Sequence, residues 1–224
     1  APWLDLGISL QQLDRIPEAL ASYHEAWKLN PDDPETGKAL ASVSISSGQT
    51  EFADEILARL STLFPQDGEI DFHRAISLRS QGKLEESVML FRRAIEMGLN
   101  VPEVHNNLAV SLFDLNLLDE TYTSARKSIE LDPEFSSGYN TLGNWASETG
   151  DLEQSKSWYL KAAELEPEFA AAVSNAAYVT RLQGDLDEAI VLYHEALKID
   201  PELPEAWSGI GLTYQQDNRF EEAL

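Results

Sequence analysis

GDLDEAIVLYHEALKIDPELPEAW, the stretch Gly184–Trp207, contains the features that decide the fold. After a turn-forming glycine and an acidic start, apolar residues recur with the spacing of one helical face, at Ala189, Ile190, Tyr193, Ala196 and Leu197. Pro201 ends this helix, because proline has no backbone N–H to donate and its ring clashes with the preceding turn. A second helix is predicted to begin near Glu205. The stretch therefore predicts two successive α-helices joined by a proline-marked link.

This pattern recurs along the chain with a period of 34 residues. The link column reads Pro31, Pro65, Leu99, Pro133, Pro167 and Pro201. A turn column contains only residue types that tolerate a left-handed backbone: Asp14, Gly48, Gly82, Asn116, Gly150, Gly184 and Asn218. Such a column predicts that, in every unit, one helix ends and the chain reverses into a second helix.

Two further columns contain only small residues, which let helices approach closely. The first reads Gly7, Ala41, Ala75, Ala109, Gly143, Ala177 and Gly211. The second reads Ala19, Ala53, Ser87, Thr121, Ser155, Ala189 and Ala223. They predict where the two helices of each unit cross. A single helix pair cannot bury its apolar face alone, so the units must stack, and the chain is predicted to be an all-α solenoid.

The chain resembles the tetratricopeptide repeat (TPR) family. The motif residues are Trp3, Leu6, Gly7, Ala19, Tyr23, Ala26 and Pro31, and they recur as Trp207, Ile210, Gly211, Tyr214 and Ala223. The resemblance implies a right-handed superhelical solenoid, a single domain over residues 1–224, with first helices lining a concave wall. It has about six and a half repeats: 1–33, 34–67, 68–101, 102–135, 136–169, 170–203 and a truncated 204–224. Since both terminal repeats are incomplete, we expect a longer parent protein.

Two repeats depart from the pattern. Gly37 replaces the first-helix aromatic residue in repeat 34–67. In repeat 68–101, Asp71 and Arg74 occupy the matching sites, and Leu99 stands in place of the link proline. A helical glycine costs about 0.8–1 kcal/mol relative to alanine. These departures predict a packing gap and the lowest local stability around residues 34–75.

Charge and composition exclude several functions. Sixteen Lys and Arg against 39 Asp and Glu give a net charge of −23, which repels nucleic acid and anionic lipid. The chain has no cysteine, so it forms neither disulfides nor thiolate metal sites. With no apolar run of membrane-spanning length and no visible signal peptide, we expect no membrane insertion and a cytoplasmic location.

The sequence contains no complete catalytic motif. The pairs His24-Glu25 and His194-Glu195 begin the metalloprotease pattern but lack its second histidine. His73 has Glu69 one turn before it and Glu103 in the next repeat, which suggests either a cation site or ordinary polar lining. We predict a non-enzymatic chain with no cofactor and no metal.

The exposed columns of the first helices are the candidate binding surface. The predicted site residues are His73, Arg79, Asn106, Asn107, Phe113, Asn140, Asn144, Asn175, Tyr178 and Arg181. Five of the ten are asparagines, although asparagine is a mediocre helix former. Its amide offers a donor and an acceptor together, which suits the backbone of an extended peptide. The alternative is that these asparagines only form local hydrogen bonds.

Known TPR subtypes fit these residues incompletely. The Lys, Asn and Arg pattern that binds a chaperone's terminal carboxylate is not formed in any register. A weaker resemblance is to the TPR segment of O-GlcNAc-transferase-like proteins, which line their groove with an asparagine ladder. Only Asn107 and Asn175 occupy the ladder column here.

Two functions are therefore predicted from different classes. The first is a non-catalytic scaffold that binds a peptide segment of a partner protein in a groove centred on residues 102–203, with Arg79 and Arg181 available for an acidic group. The alternative is the substrate-recognition arm of a larger enzyme, such as a glycosyltransferase, whose catalytic domain lies beyond Leu224. Self-association through the solenoid ends is a third possibility.

Overall fold

A computed structural model describes residues 2–217, and every regular element within them is an α-helix. The helices are α1 Pro2–Gln12, α2 Ile16–Leu29, α3 Pro34–Ser46, α4 Thr50–Leu63, α5 Gly68–Ser80, α6 Leu84–Glu96, α7 Pro102–Asp114, α8 Leu118–Leu131, α9 Ser136–Glu148, α10 Leu152–Leu165, α11 Ala170–Gln183, α12 Leu186–Ile199 and α13 Pro204–Gln216. The predicted all-α architecture of repeated helix pairs is confirmed. The second helix predicted for repeat 204–224 lies outside the described residues.

These helices are short, with 11 to 14 residues each. Across residues 2–217, none has both the length and the apolar character needed to cross a membrane.

The chain forms two compact units, Ala1–Asn116 and Leu117–Leu224. The first contains α1–α7 and the second contains α8–α13. Within each unit every helix packs against the next one along the chain, and first helices of neighbouring repeats also meet, as α3 meets α5 and α11 meets α13. The boundary falls inside the predicted repeat 102–135, so a single domain over residues 1–224 stays a prediction.

The turn column adopts the left-handed backbone that its residue types predict. Positive φ angles occur at Asp14, Gly48, Gly82, Asn116, Gly150 and Gly184; Asn218 lies outside the described residues. Gly98 is a further position, with φ of 95°. It lies just before Leu99, where the link proline is missing, and it follows the end of α6. A glycine in place of a proline therefore terminates this helix.

The small columns lie where the helices cross, as predicted. Every described member of the second column is fully buried, namely Ala19, Ala53, Ser87, Thr121, Ser155 and Ala189. In the first column, a Cβ on Gly143 would lie 2.5 Å from the Tyr159 ring, so only glycine admits that ring. The aromatic column thus packs directly onto the small one.

The packing gap predicted at Gly37 is not present. A Cβ on Gly37 would lie 2.5 Å from Leu60 Cδ1 and 2.7 Å from the Trp27 ring, because these two side chains fill the space of the missing aromatic residue. The prediction of a gap is wrong, since a larger residue on the preceding α2 compensates.

The polar departures in repeat 68–101 are also compensated. Asp71 is buried, at 2% exposure, and both its carboxylate oxygens accept hydrogen bonds from the Arg93 guanidinium. Arg74 donates a hydrogen bond to Asp54 over 2.8 Å. Ion pairs within the first unit therefore occupy the sites that apolar side chains fill in other repeats.

Candidate functional site

A cavity of about 270 Å³ lies between α11 and α13. It is lined by Ser174, Asn175, Tyr178, Arg181, Tyr193, Glu205, Ser208, Gly209 and Leu212. Three residues predicted from the sequence, Asn175, Tyr178 and Arg181, come together here. The cavity extends into α13, beyond the groove predicted over residues 102–203.

The helix geometry explains why these side chains converge. Asn175, Tyr178 and Arg181 are spaced three residues apart on α11, so they share one helix face. Opposite them, Gly209 on α13 has no side chain, and a Cβ there would lie 2.2 Å from the Tyr193 ring. The Tyr193 ring therefore extends between the two first helices, and Tyr193 joins the cavity lining.

The Arg181 guanidinium is the cation of this cavity. Its central carbon lies 5.4 Å from the centroid of the Tyr178 ring, a cation–π distance. Nη1 donates to Gln216 Oε1 over 3.2 Å, whereas Nε is buried and has no hydrogen-bond partner. Burial raises the pKa of the Tyr193 hydroxyl, and the neighbouring Arg181 guanidinium partly opposes that rise.

Next to the cavity, two predicted asparagines form a pair between first helices. Asn175 Nδ2 on α11 donates to Asn140 Oδ1 on α9 over 3.0 Å. This bond uses one donor of Asn175 and the acceptor of Asn140. The NH2 group of Asn140 and the Oδ1 atom of Asn175 take no part in this bond, so the pair offers a donor and an acceptor side by side.

Asn144 has a different role. Its Oδ1 accepts a hydrogen bond from the Tyr159 hydroxyl over 2.7 Å, and burial raises the pKa of Tyr159 to about 12. The bond joins the two helices of one repeat. Asn144 therefore contributes to the packing of this repeat through its oxygen, and its NH2 group takes no part in the bond.

In the first unit, the predicted asparagines are occupied. Asn106 is buried, with 9% exposure, and its place in the binding surface stays a prediction. Asn107 donates to the Glu103 carbonyl oxygen over 2.9 Å, which is the local bonding of the alternative interpretation. Arg79 reaches Asn107 Oδ1 over 3.5 Å, and its Nε is buried without a hydrogen-bond partner. Phe113 is half-buried on α7.

His73 is a polar lining residue of α5. Its Nδ1 forms a hydrogen bond with the Glu69 carbonyl oxygen over 2.7 Å, and burial lowers its pKa. Within residues 2–217, no group of three or more metal-ligating side chains is placed to hold an ion. The structure thus gives no support to a cation site at His73, Glu69 and Glu103.

Sequence reasoning missed the far side of the cavity, formed by Tyr193, Glu205, Ser208 and Leu212. The signal was available in the ladder column, where Asn175 is followed by Gly209. A glycine on the inner face of a first helix makes room for the aromatic ring that projects from the second helix of the preceding repeat. The helical spacing of Tyr193 predicts only a core position.

Comparisons with protein families agree with the helix-pair architecture. A family model described as TPR repeat matches residues 177–218, and two described as tetratricopeptide repeat match residues 10–74 and 136–169. No curated protein matches this chain.

Several solved structures are similar. A chain of the APC/C hetero-tetramer Cut9-Hcn1 has a TM-score of 0.86 at 16% identity. The match covers 94% of this chain and 42% of the Cut9-Hcn1 chain. This chain therefore spans less than half of that protein. TTC0263, a thermophilic TPR protein of Thermus thermophilus, has a TM-score of 0.70 at 22% identity. The match covers 80% of this chain and 97% of TTC0263.

A third similar structure is YrrB, described as a TPR protein with an unusual peptide-binding site. Its TM-score is 0.58 at 17% identity, with 83% of this chain and 96% of YrrB covered. At these identities, the likeness concerns the fold alone.

Proposed function

Since this chain belongs to the tetratricopeptide-repeat family, we propose that it is a non-catalytic scaffold that binds an extended peptide segment of a partner protein. Stacked helix repeats provide the concave surfaces that such proteins use for binding. The proposed surface is the inner side of α9, α11 and α13 in the unit Leu117–Leu224.

The observation that carries this proposal is the continuity between the asparagine pair and the cavity. Asn175 takes part in both, because it bonds to Asn140 on α9 and lines the cavity between α11 and α13. Asn175 therefore links a polar group of α9 to the recess between α11 and α13. An extended peptide has the matching alternation of backbone groups and side chains.

In this arrangement the asparagine pair holds the peptide backbone. The Asn140 amide N–H donates to a peptide carbonyl oxygen, and Asn175 Oδ1 accepts from a peptide N–H. Both contacts are independent of the peptide's sequence. A side chain next to the held residue enters the cavity, where Tyr178, exposed to 44%, packs against it.

The comparisons support the proposal in general terms. YrrB, a protein of similar fold, is described as having an unusual peptide-binding site. The residues proposed here come from this chain's own geometry.

The test begins with selection of ligands from a synthetic library of random peptides, immobilised by either end. Peptides that bind the unchanged chain are then titrated against the double variant Asn140→Ala/Asn175→Ala. We expect the affinity to fall by about tenfold, since two backbone hydrogen bonds are lost at roughly 0.5–1.5 kcal/mol each. The melting temperature should stay close to that of the unchanged chain.

The matched control is Gln154→Ala, which removes an exposed amide from α10 of the same unit. It should leave peptide affinity unchanged. If no peptide is selected, or if selected peptides bind the double variant as well as the unchanged chain, the proposed surface is wrong. If the double variant loses as much free energy of unfolding as free energy of binding, both asparagines contribute to packing instead.

A further inference from the structure

We propose that the cavity beside Arg181 is a subsite for one carboxylate of the bound peptide. The carboxylate belongs to an aspartate or glutamate side chain or to the peptide's C-terminus. This inference rests on the proposed function, because it specifies what the side-chain cavity of that peptide surface recognises.

Among residues 2–217, Arg181 has no carboxylate partner, although the protein is strongly acidic. Several other cations of the described residues are paired with carboxylates, for example Arg74 with Asp54, Arg93 with Asp71 and Lys156 with Glu188, whereas Arg79, like Arg181, bonds to a neutral amide. Arg181 instead hydrogen-bonds to the neutral amide of Gln216. In a chain of net charge −23, a guanidinium on the inner face without an ion pair is an unused anion receptor.

The Arg181 guanidinium is already oriented by its neighbours. The Tyr178 ring lies beside it at 5.4 Å, Gln216 accepts from Nη1 and the Tyr193 hydroxyl is its neighbour. Its buried Nε keeps an unused N–H donor. A guanidinium presents its donors as a planar fork that matches the two oxygens of a carboxylate. Because the contacts restrict its rotamers beforehand, binding loses less conformational entropy.

The charges that line the cavity favour a carboxylate over a phosphoryl group. Glu205 lines the same cavity, so the site combines one cation with a nearby anion. A phosphorylated side chain carries about −1.5 to −2 charges at neutral pH, and such groups are bound by clusters of arginines. A single guanidinium beside a glutamate therefore favours a monoanion.

The walls of the cavity add an apolar preference. Tyr178 is 44% exposed and Leu212 is 48% exposed, and they lie at the same position of consecutive repeats on α11 and α13. They provide apolar surface on both sides of the recess. The ligand's carboxylate is thus expected on an aliphatic stem, or next to an apolar residue.

The experiment uses the peptides selected above and a double-mutant cycle. Each peptide is resynthesised with every acidic side chain changed to its amide, and separately with an amidated C-terminus. Both forms are titrated against the unchanged chain and against Arg181→Gln. We expect each single change to weaken binding by about tenfold to hundredfold, as for a charge-assisted hydrogen bond. The two changes together should weaken it no further.

If Arg181→Gln is coupled to the change of an acidic side chain to its amide, that side-chain carboxylate enters the cavity. If it is coupled to amidation of the C-terminus, the C-terminal carboxylate enters it. Arg181→Lys, which keeps the charge but loses the fork, should give an intermediate affinity. Lys198→Gln removes an equal charge from the exposed side of α12 and should leave binding unchanged. Melting temperatures of all variants exclude unfolding as the cause.

The inference is overturned if selected peptides depend on Asn140 and Asn175 but bind Arg181→Gln with unchanged affinity, or if the two losses add. It is also overturned if phosphoserine in place of the acidic residue strengthens binding. These outcomes leave the proposed peptide surface intact. Failure of the asparagine variants alone to weaken binding overturns the proposed function instead.

Discussion

The Tyr159 hydroxyl donates a hydrogen bond to Asn144 Oδ1 over 2.7 Å, from the second helix of a repeat to its first helix. One period later, the corresponding residues are Tyr193 and Tyr178. With no asparagine there, Tyr193 lines a cavity that also contains Arg181. The same pair of positions therefore stabilises one repeat and forms a recess in the next.

This relationship predicts that Asn144 matters for stability. Asn144→Ala should lower the free energy of unfolding by about 1 kcal/mol, because the largely buried Tyr159 hydroxyl loses its acceptor. Urea denaturation monitored by circular dichroism measures the change. Asn144→Ala combined with Tyr159→Phe should cost less than the sum of the two single changes, whereas additive losses would show that the bond contributes nothing.

Gly37→Ala should destabilise the chain, although alanine is the better helix former by about 0.8–1 kcal/mol. The added Cβ would lie 2.5 Å from Leu60 Cδ1 and 2.7 Å from the Trp27 ring, and overpacking costs about 1–3 kcal/mol. Thermal unfolding is the measurement. Trp27→Phe should reduce the cost of Gly37→Ala by removing the clashing ring atoms. A stabilising Gly37→Ala would contradict the packing described for this repeat.

Asp71 and Arg93 should respond unequally to mutation. Arg93→Met leaves a buried carboxylate without its charged partner and should cost about 3 kcal/mol or more. Asp71→Asn should cost less, because Arg93 is 44% exposed and its charge stays hydrated. Chemical denaturation of both variants provides the comparison. Equal losses would indicate that the carboxylate is better solvated than its 2% exposure suggests.

The sequence predicted the repeated parts of the fold because each column has a single physical requirement. Asn116 and Gly184 could be assigned to turns from their tolerance of a left-handed backbone, and Gly143 to a helix crossing from its size. Gly37 was harder, because the Trp27 ring that fills its place comes from a neighbouring helix at another position of the repeat. Period and spacing do not show which side chain fills a vacant site.

The candidate site was predicted only in part for a similar reason. Asn175, Tyr178 and Arg181 could be identified as exposed members of one helix face. The use of Asn144 by Tyr159 depends on a contact between the two helices of one repeat, and the burial of Asn106 depends on its neighbours; the period of the sequence shows neither. An attached catalytic domain and self-association both stay predictions.

His73 should make stability depend on pH in a defined direction. Burial lowers its pKa, Lys38 lowers it further, and Glu69 and Asp67 oppose the shift. The unfolded chain, with a histidine pKa of about 6.5, then binds the proton more readily than the folded chain. Stability is therefore fully present above about pH 6.5 and falls as the pH decreases through the folded-state pKa.

Melting temperatures of the unchanged chain and of His73→Gln, measured from neutral to mildly acidic pH, test this prediction. The variant should lose less stability over that interval. Carboxylate protonation at lower pH should affect both proteins alike. Identical curves would show that His73 is hydrated in the folded state.

The hydrogen bond between Asn140 and Asn175 also bears on how such a chain evolves. Tandem duplication of repeat 136–169 would present the same small and aromatic columns to its neighbours, so the duplicated unit fits the stack. Asn175 would then be adjacent to the copy rather than to the original, and the copy carries its own asparagine at the position of Asn140. The pair would survive this duplication, but an insertion from any repeat lacking that asparagine would remove it. The asparagine pair therefore depends on the order of the repeats even where their packing is interchangeable.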